Sequence, residues 1–138
     1  NAIVRYLCAK QGSLYPEPLR ERFDAERWMD WQQTTLNPAG RDAFVQLIRT
    51  APEQRNAALI ERSAAAIAPL WDLLDRHLAR QSFMAGESFT MADIPIACDA
   101  HRWRGLPLTH AARPHLDRWY ARIAEHASAR GVFDVPLQ

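Results

Sequence analysis

The stretch FTMADI, residues 89–94, decides the fold of this chain because it can start a buried helix. The Thr90 hydroxyl can accept a hydrogen bond from an unpaired backbone N–H of the first turn, and Asp93 can accept one from the Thr90 N–H. Phe89 and Ile94 would pack against each other across this cap as a hydrophobic staple. Because the residues that follow are largely apolar, the sequence predicts a helix that lies in the core.

The rest of the chain also has the periodicity of helices. Apolar residues recur at spacings of three and four, and no segment of useful length alternates as a strand would. We therefore predict an all-α bundle of five or six helices. A kink is expected at Pro38, with Asn37 as the cap of the continuing helix, and a bend before Pro69. The predicted helices cover, to within a few residues, 1–11, 18–36, 38–50, 52–79, 91–103 and 113–131.

Two of these helices are expected to carry much of the aromatic core. The first long helix would contribute Leu19, Phe23, Trp28, Trp31 and Leu36. The last helix would contribute Leu116, Trp119, Tyr120, Ile123 and Ala127.

The composition is that of one ordinary globular domain, with 138 residues, of which 48% are hydrophobic and 24% charged. Seventeen basic against sixteen acidic residues give a net charge of +1. This balance argues against nucleic acid or an anionic membrane as a partner, because both attract basic surfaces. We expect a cytoplasmic protein in which Cys8 and Cys98 are buried thiols, with a disulfide between them as the less favoured alternative.

The sequence shows no self-contained catalytic or metal site. No two of the five histidines are spaced as helical metal ligands are. No serine or cysteine lies in a nucleophile elbow, and no glycine-rich phosphate loop is present. We therefore predict neither a catalytic residue nor a metal ligand in this chain.

A polar stripe on the first long helix is the candidate binding surface. Arg27, Asp30, Thr34, Asn37 and Arg41 recur at spacings of three or four and would share one helix face. Two interpretations are open, a solvated face and one wall of a cleft. The adjacent pair Trp28 and Trp31 is more typical of a core than of a ligand platform, although Trp31 is a candidate for the edge of the cleft.

Three segments, in family order, resemble cytosolic glutathione transferases. Residues 78–94 (LARQSFMAGESFTMADI) resemble the loop and capped core helix of the C-terminal domain. Residues 28–36 (WMDWQQTTL) are similar to the first long helix of theta-like members. Residues 1–7 (NAIVRYL) resemble the end of the family's thioredoxin-like domain.

The resemblance implies a domain organisation and an activity. Residues 1–12 would be the tail of the last helix of a thioredoxin-like domain that is missing here, 13–17 a linker, and 18–138 the all-helical C-terminal domain of a theta-like or bacterial enzyme. The full-length parent would be a homodimeric detoxification enzyme that conjugates glutathione, its co-substrate, to small hydrophobic electrophiles. Glutathione would be bound mainly by the missing domain, so this segment alone would be inactive.

The same resemblance implies roles for the polar stripe. Thr34 and Asn37 would be cleft residues, Trp31 would lie at the pocket edge, and Asp30 would lie nearer the subunit interface. Asn37 has a competing role as a helix cap. The alternative function is a non-catalytic transferase-like module for protein assembly. The polar stripe and the thioredoxin-like start favour the enzyme, and the upstream sequence would distinguish the two.

Overall fold

The chain forms a bundle of six α-helices in the computed structural model, which describes residues 1–137. Within these residues there is no β-strand, and one isolated bridge joins Phe83 to Gly86. The all-α prediction is confirmed. Gln138, which ends the predicted C-terminal domain, lies outside the described residues. The helices are α1 (Ala2–Gln11), α2 (Leu19–Trp31), α3 (Asn37–Phe44), α4 (Ala57–Leu78), α5 (Asp93–Arg104) and α6 (Pro114–Ala124).

A π-helical turn, Gln32–Leu36, joins α2 to α3 without a loop. The N–H of Asn37 donates to the Gln32 carbonyl, five residues back. This wider turn accommodates Pro38, whose ring would collide with the carbonyl four residues earlier in a regular helix. The predicted cap at Asn37 is therefore wrong, because its backbone is helical and its side chain points to α5. A second π turn, Val45–Arg49, follows α3.

Helix α4 begins at Ala57 and not near residue 52, because Asn56 supplies the cap. Its Oδ1 accepts a 3.2 Å hydrogen bond from the Leu59 N–H. Pro52–Gln54 forms a separate 3₁₀ turn. Helix α4 then continues through Pro69 and buries its central seam. The seam residues that are fully buried are Ile67, Trp71, Leu74 and Leu78.

Helix α5 packs against α3 and α6, both of which also contact α4. It begins at Asp93, two residues later than predicted. Pro95 therefore lies in the first turn, where a backbone N–H has no partner within the helix and its loss costs little. The predicted burial of this helix is confirmed. Its buried residues are Asp93, Pro95, Ile96, Ala97, Asp99 and Ala100.

Three predicted core residues are exposed, and their positions explain why. Leu19 and Phe23, each 65% exposed, share a face of α2 with Asp30, whereas Trp28 points into the core. Helix α6 ends at Ala124. Ala127 is exposed in a 3₁₀ turn that His126 and Ser128 stabilise through local hydrogen bonds.

Helix α1 packs on α2 through polar contacts and one buried thiol. The Asn1 amide donates to the Met29 carbonyl at 2.7 Å, Arg5 forms an ion pair with Asp30, and Cys8 enters the core. Val4 also packs against the core, but part of the apolar surface of α1 is not covered by any of residues 1–137. The exposed residues are Ile3, Tyr6 and Leu7. None of the helices described is long and apolar enough to span a bilayer.

Candidate binding cavity

A cavity of about 520 Å³ lies between α3, α5 and the C-terminal tail, which we define as residues 125–137. Aromatic and aliphatic side chains form most of its wall, as in sites that bind small apolar ligands. The tail contributes residues 132, 133 and 135–137. The apolar lining includes Leu36, Phe44, Ile67, Trp103, Leu106 and Phe133.

Gly40 lets α3 lie close to α4 at the edge of this cavity. A Cβ atom at this position would lie 2.7 Å from Ile67 Cδ1 and 3.8 Å from Trp103 Cε3. Because Ile67 is itself buried, its side chain has little room to move away. The absence of a side chain at Gly40 therefore maintains both the helix contact and part of the cavity.

The polar side of the cavity is organised by Asp99, which is 8% exposed. Its carboxylate accepts hydrogen bonds from the Gln32 amide at 2.6 Å and the Asn37 amide at 3.2 Å, and Arg102 lies at 3.8 Å. Burial raises the pKa of Asp99, while these hydrogen bonds and the charge of Arg102 act in the opposite direction. Asn1 donates to Gln32 at 3.0 Å, so the polar network connects the cavity wall to α1.

Among the four predicted substrate-binding residues, Asn37 is the one that lines this cavity. Trp31 packs edge-on against Trp28, with ring centroids 5.4 Å apart. The Thr34 hydroxyl donates to the Asp30 carbonyl at 2.8 Å, and the Asp30 carboxylate is bound to Arg5. The stripe is therefore divided between the cavity and the exposed face of α2.

The tail is held over the cavity by an aromatic stack. His101 lies 4.7 Å from Phe133, with ring planes 9° apart, and its Nδ1 is 2.8 Å from the Tyr120 hydroxyl. Burial, together with the neighbouring Arg102 charge, lowers the pKa of His101, so the neutral ring is favoured. The neutral imidazole of His101 therefore holds the tail in position.

The stretch that starts α5 forms a buried network whose residues do not line the cavity. Asp93 Oδ2 accepts a 2.9 Å hydrogen bond from the Thr90 N–H, and the Thr90 hydroxyl accepts one of 3.3 Å from Ala92. Asp93 Oδ1 accepts from the Met84 N–H and the Trp119 indole, both at 2.9 Å. The bond from the Thr90 N–H to Asp93 is one half of the expected reciprocal cap. The Thr90 hydroxyl serves Ala92, one residue earlier than the expected box.

Sequence reasoning missed Asp99 and Gln32. A usable signal was present, because an acidic residue in the apolar run 94–100 must find a partner if the helix is buried. Cys98 beside it is half-buried and a free thiol, and burial raises its pKa. Within residues 1–137 no group of three or more histidine, cysteine or acidic side chains is arranged to hold a metal ion.

The chain matches known proteins over nearly its whole length. A family model described as "Glutathione S-transferase, C-terminal domain" matches residues 57–122. Glutathione S-transferase GstB of Escherichia coli is 39% identical over 139 residues, covering 99% of this chain and 67% of the relative. Glutathione S-transferase 3 of Zea mays is 33% identical over 151 residues, covering 99% and 66%.

A solved structure gives the same result for the fold. The theta class glutathione S-transferase from Xanthomonas axonopodis pv. citri, with glutathione bound, superposes with a TM-score of 0.95 at 34% identity. The match covers 99% of this chain and 67% of that one, so the chain spans about two thirds of the length of its relatives. The chain belongs to the glutathione S-transferase family and contains the helical C-terminal domain of that family.

Proposed function

We propose that this chain supplies the electrophile-binding wall of a glutathione transferase that conjugates glutathione to small hydrophobic electrophiles. The observation that carries the proposal is the largely apolar cavity of about 520 Å³ between α3, α5 and the tail. Its volume and lining suit a small organic molecule. The Xanthomonas relative is described with glutathione bound, which supports glutathione as the co-substrate.

The proposal includes a thioredoxin-like domain before the linker at residues 13–17, with residues 1–12 as the tail of its last helix. The uncovered apolar residues of α1, Ile3, Tyr6 and Leu7, support this organisation because a neighbouring domain would cover them. That domain would hold most of glutathione and the residue that stabilises its thiolate. A cytoplasmic homodimer with a role in detoxification belongs to the same proposal.

The chemistry assigned to the whole enzyme is nucleophilic attack by the glutathione thiolate. In a substitution, a sulfur–carbon bond forms while the leaving group departs with its bonding electrons, and the thiol proton is lost before attack. The residues of this chain would hold the electrophile against the sulfur and exclude water. Such positioning can account for a large part of a rate enhancement.

The polar stripe would connect the two halves of the cleft. Asn37 lies on the cavity wall, and Thr34 is about 4.5 Å and Asp30 about 10 Å further along the helix axis. We assign Thr34 to the region where glutathione meets the electrophile, and Trp31 to its edge. Asp30, bound to Arg5, would lie nearer the subunit interface.

The test is the steady-state kinetics of the full-length protein with glutathione and 1-chloro-2,4-dinitrobenzene. Phe44→Ala removes an apolar wall of the cavity and should raise KM for the electrophile about fivefold, while KM for glutathione stays unchanged. Phe23→Ala, on the exposed face of α2, is the matched control and should change neither value. Absence of glutathione-dependent product with a panel of electrophiles would instead favour a non-catalytic module for protein assembly.

A further inference from the structure

We propose that the cavity selects electrophiles that carry a carboxylate, and that Arg41 and Arg49 bind this group. The inference rests on the proposed function of the same cavity and adds the class of substrate. It is drawn from the charge of the cavity wall, from the ion pairs that its charged side chains form, and from the apolar lining beside them.

The charged wall is more basic than the chain as a whole. Arg41, Arg49 and Arg102 line the cavity, and among the described lining residues Asp99 is the acidic one. The whole chain, in contrast, has 17 basic and 16 acidic residues. The excess of positive charge is therefore a local feature of this cavity.

Among the described lining residues, the acidic one already has hydrogen-bond partners. Asp99 accepts from Gln32 and Asn37 and lies 3.8 Å from Arg102. The ion pairs formed among residues 1–137 leave Arg41 and Arg49 without an acidic partner. These two guanidinium groups are thus available to a ligand.

Arg41 and Arg49 both line the cavity and lie beside apolar surface. Arg41, Val45 and Arg49 follow each other at spacings of four and all line the cavity. The guanidinium carbons of Arg49 and Arg102 each lie 5.8 Å from the centre of the Phe44 ring, so they are at most twice that distance apart. A ligand resting on Phe44 would therefore have a cation within reach of a polar substituent.

This arrangement fits an aryl or alkyl electrophile with one anionic group. The hydrocarbon part would occupy the apolar wall, and the carboxylate would meet the planar guanidinium fork, which matches its geometry. A neutral electrophile of the same shape gains only the apolar contacts. Because both arginines are exposed, we expect each to contribute about three- to tenfold in selectivity, as partly screened ion pairs do.

The experiment compares two isosteric electrophiles, 4-chloro-3-nitrobenzoate and 4-chloro-3-nitrobenzamide, with the full-length protein. Both lose chloride to the glutathione thiolate by the same aromatic substitution. Each kcat/KM is divided by the uncatalysed rate constant with glutathione, which removes the difference in intrinsic reactivity. We expect the corrected benzoate-to-benzamide ratio to exceed about ten in the unmodified protein, as two such arginines together allow.

Substitutions of Arg41 and Arg49 test whether these residues cause the selectivity. Arg41→Gln and Arg49→Gln should each lower the corrected ratio about three- to tenfold, and Arg49→Lys should restore part of the loss because it keeps the charge. Arg20→Gln, exposed on α2 and outside the cavity, should leave both rates unchanged. The ratio should also fall as salt is raised, since exposed charges are screened.

Two failures can be distinguished. If neither compound is conjugated, nor any other electrophile, the proposed transferase function itself fails. If both compounds are conjugated with a corrected ratio near one that Arg41→Gln and Arg49→Gln do not change, the transferase function stands and the carboxylate selectivity is overturned.

Discussion

The indole N–H of Trp119 on α6 donates a 2.9 Å hydrogen bond to Oδ1 of Asp93 at the start of α5. The same oxygen accepts from the Met84 N–H, and Oδ2 accepts from the Thr90 N–H. Asp93 has no exposed surface. Its carboxylate therefore joins the preceding loop, the first turn of α5 and the last helix in one buried network, which is more than a local helix cap does.

Asp93→Ala should consequently cost more than the loss of a cap. A cap alone is worth about 1 kcal/mol, whereas this substitution leaves three buried N–H donors without an acceptor. We expect the free energy of unfolding to fall by about 3–4 kcal/mol, measured by urea denaturation with tryptophan fluorescence. The control is Asp42→Ala, whose exposed carboxylate lies 3.8 Å from Arg62 and should matter by less than about 0.5 kcal/mol. An unchanged urea midpoint for Asp93→Ala would contradict the role of the network.

Thr90 and Asp93 should be energetically coupled. The Thr90 hydroxyl donates to Asp93 at 3.3 Å and accepts from Ala92 at the same distance, so Thr90→Ala alone should cost about 1 kcal/mol. When Asp93 is already alanine, the Thr90 hydroxyl has lost this acceptor, so its removal costs less than in the unmodified protein. The combined loss should therefore be smaller than the sum by about 0.5–1 kcal/mol in a double-mutant cycle. Additive losses would show that the two side chains act independently.

The start of α5 could be predicted because its signals are local. The distant residues that bond to it could not be predicted from local sequence. The bond between Thr90 and Asp93 spans three residues, whereas Trp119 is 26 residues away from Asp93. The preference of the residue before a proline for a non-helical backbone predicted a cap at Asn37. Instead, a π turn accommodates Pro38 within the helix, and the Asn37 amide donates to Asp99 on α5. Tertiary packing overrode the local preference there.

The candidate cavity was only partly predictable for a similar reason. A helical spacing identifies a polar face, but the packing of neighbouring helices decides which part of it meets a cavity. Asn37 and Arg41 of the stripe line the cavity, while Asp30 lies on the other side of the π turn and pairs with α1. The tail residues, including Phe133, form no regular helix with a periodicity to follow.

The cap of α4 gives a prediction away from the cavity. Because Asn56 Oδ1 accepts from the Leu59 N–H, Asn56→Ala should lower the free energy of unfolding by about 1 kcal/mol. Asn56→Asp keeps an acceptor and adds negative charge at a helix N-terminus, so it should retain the stability. Thermal unfolding of both variants by circular dichroism is the measurement. Equal losses in the two variants would exclude the capping interaction as the cause.

Asp99 should give the protein a specific pH dependence. Burial raises the pKa of its carboxyl in the folded state above the ordinary value of 3.8. The folded state therefore binds a proton more tightly than the unfolded state does, and the ionised form is the costly one. By linkage, the contribution of Asp99 to stability is most favourable at low pH and declines as pH rises from about 4 through the raised pKa.

Asp99→Asn removes this titration while keeping the size of the side chain. The amide has one acceptor oxygen for Gln32 and Asn37 together, so the variant carries an offset in stability that does not depend on pH. Subtracting its free energies of unfolding from those of the unmodified protein, in urea titrations at a series of pH values between about 4 and 8, cancels the contribution of every other group. The difference should decrease as pH rises and then level off. A difference that is constant over this range, or that increases with pH, would show that hydrogen bonding and the charge of Arg102 outweigh the burial of Asp99.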